Sequence, residues 1–211
     1  MLHMLDQTAL SRVRLPVGDM TKVEVRKKAA QLGFRTAHKP DSQDICFVTS
    51  GDYRDFIRQR HPEVDAPGKV LDANGVVVGR HPGTAGFTIG QRKGLGVAVG
   101  EARYVVDITP SEQTITIGTL DDLLTSTCTA KGMSWTNEPA RAGDRVGVKV
   151  RYRSEPVLAT VTGASDTVTV EFDTPLARPA PGQAMVLYDG EYVLGGGTIQ
   201  TPDTGHQTPA S

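Results

Sequence analysis

The chain has 211 residues, a formal charge of -1, 38% hydrophobic residues and 22% charged ones. That length allows one large domain or two small ones, and the composition is that of an ordinary globular protein rather than a low-complexity chain. Near-neutrality excludes a globally basic nucleic-acid coat but leaves room for a local basic face, and the 2 cysteines exclude a disulfide framework or a four-cysteine zinc site. No apolar run approaches the ~18 residues of a membrane helix, and Met1–Leu10 lacks the layout of a signal peptide. The expectation is a cytoplasmic protein with reduced thiols.

Helix signals crowd the first third. Met1–Leu10 reads as a helix without a cap of its own, ended by Pro16-Val17-Gly18-Asp19. Thr21-Lys22-Val23-Glu24 is a capping box, and Val25, Ala29 and Leu32 follow at i, i+4 and i+7. Gly33 stands where a helix end wants a left-handed residue, so a helix is predicted over 22–32. A short helix is predicted over Asp52–Arg60, ended by Pro62. Two helices with no strand between them bury neither face of a sheet, so the first 35 residues read as the end of a domain continuing upstream of Met1.

From Pro67 the pattern changes to strands. Gly68–Leu71 and Val76–Gly79 flank Asp72-Ala73-Asn74-Gly75, a hairpin signal. Strands are predicted at Ala85–Ile89 and Leu95–Val99 around a basic glycine loop, and a pair at Arg103–Ile108 and Thr114–Ile117. Six more follow: Thr129–Trp135, Arg145–Arg153, Val157–Thr162, Thr167–Phe172, Ala184–Tyr188 and Tyr192–Ile199. The fold class expected is mainly β with N-terminal helices: a small central domain plus a C-terminal antiparallel β-barrel. Residues 201–211 are polar and read as a disordered tail.

Three places carry chemistry. Cys46 lies at a polar loop-to-strand junction in Lys39-Pro40-Asp41-Ser42-Gln43-Asp44-Ile45-Cys46-Phe47, a setting for a reactive thiolate or for a small buried hydrophobe. Cys128 has no such surroundings and reads as structural; a disulfide between the two is disfavoured in a reducing compartment. Arg145–Arg153 alternates: Val146, Val148, Val150 and Tyr152 face one way, while Arg145, Lys149, Arg151 and Arg153 face the other, with Arg141 extending the set. A single-sign face suits RNA phosphate, with a solvated outer face as the alternative. Tyr152 is either core or a base-stacking platform. Gly90-Gln91-Arg92-Lys93-Gly94-Leu95-Gly96 can cradle phosphate through its amides or serve as a permissive hairpin, and it lacks P-loop and dinucleotide spacing. The 5 histidines show no ligand spacing, so no metal is expected.

Lys39-Pro40-Asp41-Ser42-Gln43-Asp44-Ile45-Cys46-Phe47, Phe87-Thr88-Ile89-Gly90-Gln91-Arg92-Lys93-Gly94-Leu95-Gly96 and Arg103-Tyr104-Val105-Val106 together resemble the tRNA-specific 2-thiouridylases. The likeness continues through Val150-Arg151-Tyr152-Arg153, Pro181-Gly182-Gln183 and Leu194-Gly195-Gly196-Gly197. The resemblance implies an ATP-binding α/β domain, a small central domain and a C-terminal β-barrel. It implies adenylation of the wobble uridine of tRNA by ATP and sulfur delivery from a cysteine persulfide, charged by a sulfur-donor protein such as a cysteine desulfurase or sulfur relay protein. Cys46 matches the persulfide cysteine, and Arg151, Tyr152 and Gln183 match the tRNA contacts, with Lys149, Arg153, Arg92 and Lys93 as additional candidates.

The family's Ser-Gly-Gly-Val-Asp-Ser phosphate loop does not occur in these residues, nor does its second catalytic cysteine. The chain is therefore expected to be a C-terminal portion, inactive alone: 1–38 from the nucleotide-binding domain, 39–102 central, 103–200 barrel. Two other readings are a non-enzymatic RNA-binding barrel and a standalone persulfide carrier working with a separate ATP-binding protein.

Overall fold

The computed structural model describes residues 2–40, 60–61, 66–97, 101–152 and 154–201. Cys46, Arg153, nearly all of the helix expected over 52–60, and the tail beyond residue 201 lie outside them.

The N-terminal segment is a 3-10 turn, Leu2–Met4, then helices α1 (Gln7–Leu10) and α2 (Lys22–Gln31). The single uncapped helix expected over Met1–Leu10 is instead broken in two, because Asp6 takes an extended backbone and caps α1. Its carboxylate accepts from the Ala9 amide at 2.7 Å. The α2 capping box forms as expected, with Glu24 Oε2 accepting from the Thr21 amide at 2.7 Å. That bond holds the Glu24 carboxyl below its ordinary pKa. Gly33, at φ 72°, ends α2 in a left-handed cap, and the Phe34 amide reaches back to the Ala29 carbonyl at 2.9 Å.

Four strands form a small mixed sheet in the order β2-β1-β4-β3: β1 (Gly68–Leu71), β2 (Val77–His81), β3 (Tyr104–Thr109) and β4 (Thr114–Gly118). The β1–β2 hairpin forms as expected, with the Asp72 carboxylate accepting from the Asn74 and Val76 amides and Gly75 left-handed. β1 and β4 pair in parallel, which puts β3 and β4 beside the hairpin rather than with the later strands where the sequence reading set them.

The strands expected at Ala85–Ile89 and Leu95–Val99 do not form among the described residues. A 3-10 turn, Thr84–Gly86, and an irregular loop take their place. Gly90, Gly94 and Gly96 all adopt left-handed angles that no ladder accommodates. The Gln91 side chain holds the loop instead, accepting from the Thr88 amide at 3.1 Å and donating to the Lys93 carbonyl at 2.9 Å. The loop then sends Leu95, Phe87 and Val97 onto Val70, Val105, Ile115 and Ile117, completing the core of this sheet.

After helix α3 (Leu120–Leu123), six strands close an antiparallel barrel in the order β10-β5-β8-β7-β6-β9. They are β5 (Leu124–Trp135), β6 (Arg145–Lys149), β7 (Val157–Ala164), β8 (Thr167–Ala177), β9 (Ala184–Asp189) and β10 (Tyr192–Ile199). The protein is thus mainly β with N-terminal helices, as the strand spacing implied. Alternate residues of β6, β7, β8 and β9 fill the interior, including Val148, Val161, Val170, Met185 and Leu187. Gly195, Gly196 and Gly197 of β10 are needed for space. A Cβ at Gly195 would lie 2.6 Å from the Trp135 ring, and one at Gly197 would lie 2.6 Å from the Lys131 carbonyl oxygen.

Candidate nucleic-acid interface

β6 begins as the alternation predicts, with Val146 and Val148 buried and Lys149 on the outer face. It then stops at Lys149. Val150 still reaches the core, but the chain turns, and Ser154 donates from both its amide and its hydroxyl to the Arg151 carbonyl. Turning breaks the two-residue period, so Tyr152 does not join the core as its parity implied; it is 92% exposed.

The uniform cationic face does not hold either. Arg145 makes a two-pronged pair with Asp173, Nη1 to Oδ1 at 2.7 Å, and also donates to the Thr160 hydroxyl. The pairing raises the Arg145 pKa and lowers that of Asp173, in both cases through the side-chain hydrogen bond first. Arg141 pairs with Glu138 at 3.3 Å. Both are spoken for by carboxylates, and the available cations concentrate at the other end of the strand.

There, Lys149, Arg151, Tyr152 and Gln183 line one groove of about 810 Å³ on the outside of the barrel. Arg151 donates from Nη2 to the carbonyls of Ala177 at 3.2 Å and Arg178 at 3.4 Å, which tethers the guanidinium to the end of β8. Gln183 enters from the turn before β9. Gly182, at φ 84°, makes that turn, and Gly182 and Gln183 clasp Ile199 of β10 through paired backbone bonds. The floor is apolar: Val186 and Tyr188 of β9 and Val193 of β10. One wall is Leu2 and His3. A Cβ at Gly196 would come 2.7 Å from His3 Cδ2, so the imidazole lies directly on the bare backbone of β10. This seat lowers the His3 pKa from its ordinary 6.5, through desolvation first.

The sequence reading missed the floor and the wall. The run Ala184–Tyr188 carried a signal for the floor, since five residues without a polar one announce a strand covered on both faces. Nothing local announced Leu2 and His3.

Arg92 and Lys93 lie elsewhere. They are exposed on the loop of the small sheet, where Arg92 lines a shallow depression of about 400 Å³ with Glu101 and Arg103, themselves paired at 3.3 Å. Cys128 is buried in the barrel core, and burial pushes its thiol up to about 11. It is protonated at neutral pH and a poor nucleophile, as its plain surroundings implied. Among the described residues no cluster of His, Cys, Asp and Glu is suited to a metal ion, and no helix is long and apolar enough to cross a membrane.

Three family models match in succession: a tRNA methyl transferase HUP domain over residues 1–50, a tRNA methyl transferase PRC-barrel domain over 54–119, and an aminomethyltransferase beta-barrel domain over 125–199. The junction between the last two coincides with the change from the small sheet to the barrel. Among curated relatives, the tRNA-specific 2-thiouridylase MnmA of Rhodopirellula baltica is 45% identical over 202 residues, covering 92% of this chain and 51% of the relative. Those of Koribacter versatilis and Moorella thermoacetica are 44% and 43% identical, with 55% and 57% of their lengths covered. The chain spans about half the length of the curated relatives it matches. With these matches and the barrel they describe, the chain belongs to the tRNA-specific 2-thiouridylase family.

Proposed function

We propose that the chain serves tRNA 2-thiolation, gripping tRNA with the groove beside β6 and carrying sulfur on Cys46. The observation that supports this most is the gathering of Lys149, Arg151, Tyr152 and Gln183 around one groove from two separate stretches of chain. Cations, an exposed aromatic ring and an amide are the groups that hold a polyanion with accessible bases. Residues 1–38 belong, on this reading, to the nucleotide-binding domain, and Arg92, Lys93 and Arg153 add phosphate contacts.

The chemistry is sulfur for oxygen at C2 of the wobble uridine. ATP is a substrate: the uridine C2 oxygen takes its adenylyl group, pyrophosphate departs from the α-phosphorus, and the adenylated oxygen becomes a leaving group. The terminal sulfur of a Cys46 persulfide, charged by a sulfur-donor protein, attacks C2, and the C2–O bond breaks with departure of AMP. A second thiol then attacks the Cys46 sulfur, releasing 2-thiouridine and leaving a disulfide. Cys128 does not suit that second role, being buried and protonated.

Two measurements test the proposal. Lys149→Ala and Arg151→Ala should each weaken tRNA binding and lower the slope of log affinity against log salt by about 1; unchanged slopes would remove the groove from the account. Persulfide transfer from a cysteine desulfurase should label Cys46 and spare Cys128, and labelling that survives Cys46→Ser overturns the assignment.

A further inference from the structure

The outer face of a barrel strand is ordinarily polar, because water covers it. In β9 the outward residues are Ala184, Val186 and Tyr188, with Val193 of β10 alongside, and the groove they floor is open to solvent. Among the described residues that line it none is acidic, whereas Lys149 and Arg151 contribute cations and Gln183 an amide. The ligand that fits has a flat apolar body, a polar edge and a negative charge attached to it. Its volume, about 810 Å³, is that of a ligand pocket rather than a crevice between side chains.

The wall made by Leu2 and His3 is a second observation. These residues come from outside the barrel and are seated on β10 only because Gly196 carries no side chain. Leu2 is 54% exposed although it lies against an apolar floor, so the turn leaves the groove open rather than filling it.

Resting on the tRNA reading above, we propose that this groove seats one unstacked nucleobase of an RNA loop, laid on Tyr188 and Val186 and walled by His3 and Leu2. RNA recognition by the barrel is then composite. The cations hold the backbone, the apolar floor takes a base, and the N-terminal turn closes the side of the seat. His3 is a positioning residue for that base.

The test is a binding cycle with an RNA stem–loop in which each loop nucleotide in turn is made abasic, alongside an RNA duplex of equal charge. One abasic position should weaken binding to the unaltered protein about tenfold, the size of one base–aromatic stack. The same position should cost little in Tyr188→Leu, which keeps the apolar floor but loses the ring, and less than in the unaltered protein in His3→Ala. Duplex binding should be the same for all three proteins. Both substitutions lie outside the barrel core, and matching unfolding curves verify that the barrel persists. A flat abasic series, or an abasic penalty that is equal in Tyr188→Leu, overturns the base seat. If the penalties are flat while Lys149→Ala still lowers affinity and salt slope, the tRNA reading stands and only this inference falls. If Lys149→Ala and Arg151→Ala also leave RNA binding unchanged, both fall.

Discussion

The small sheet and the barrel bury their apolar residues by different means. The barrel closes on itself, so each strand has two neighbours and inward strand side chains make most of its core, with Ala140 and Val150 added from the connections. The sheet is open, with β2 and β3 as its outer strands, and its core is finished by Leu95, Phe87 and Val97 from the irregular loop. That loop is held by one amide side chain, and its backbone is latched to β3 where Gly90 and Gln91 exchange bonds with Val105 at 2.8 and 2.9 Å. The difference teaches where rigidity lies. The groove is mounted on a scaffold that supports itself, whereas Arg92 and Lys93 ride on a segment whose order depends on local bonds.

The sharpest way to break this comparison is at the barrel centre. Leu187 is fully buried there, and Leu187→Ala should cost about 2–5 kcal/mol through lost transfer energy and the cavity left behind. Denaturant unfolding measures it; a loss below ~1 kcal/mol would mean the barrel core is not what holds this half together. A smaller and more local effect is expected from Gln91→Ala, which removes two hydrogen bonds of the loop. About 1–2 kcal/mol of local stability should go. Amide exchange should quicken at Gly90, Gln91 and Val105 while barrel amides stay as they were. Equal quickening in β9 and β10 would show that the two regions open together.

The smallest effect belongs to the Arg145–Asp173 pair on the barrel surface. Asp173 has a lowered pKa, so its stabilising contribution is present above its ordinary value of 3.8 and is lost as the pH falls below that toward the lowered one. Asp173→Asn should therefore melt slightly below the unaltered protein at neutral pH and match it in acid. Added salt should narrow the gap, since the pair faces solvent. A gap that widens on acidification would contradict the assigned sign.

What the sequence determined by itself is whatever depends on near neighbours. The Thr21–Glu24 cap, the Asp72–Gly75 hairpin and the inward Val146 and Val148 follow from short-range bonding and two-residue alternation, and the structure has them. The same local reasoning set strands at Ala85–Ile89 and Leu95–Val99, because alternation does not register that Gly90, Gly94 and Gly96 turn left-handed. It also carried the period of β6 past Lys149 to Arg153, and so left Tyr152 open between core and base-stacking platform when the chain had already left the sheet. Cations were visible in the sequence, but their partners were not: Asp173 lies 28 residues from Arg145 and meets it only across the barrel wall.

Tertiary structure alone decided the rest. The parallel pairing of β1 with β4 joins segments whose sequences carry no mark of each other. The groove assembles Leu2 and His3, Lys149 to Tyr152, and Gln183 to Val193, and these meet because the barrel closes and leaves a bare glycine where the N-terminal turn can rest. Local propensity acts over a few residues. A site built from both ends of the chain exists only once closure has brought them together.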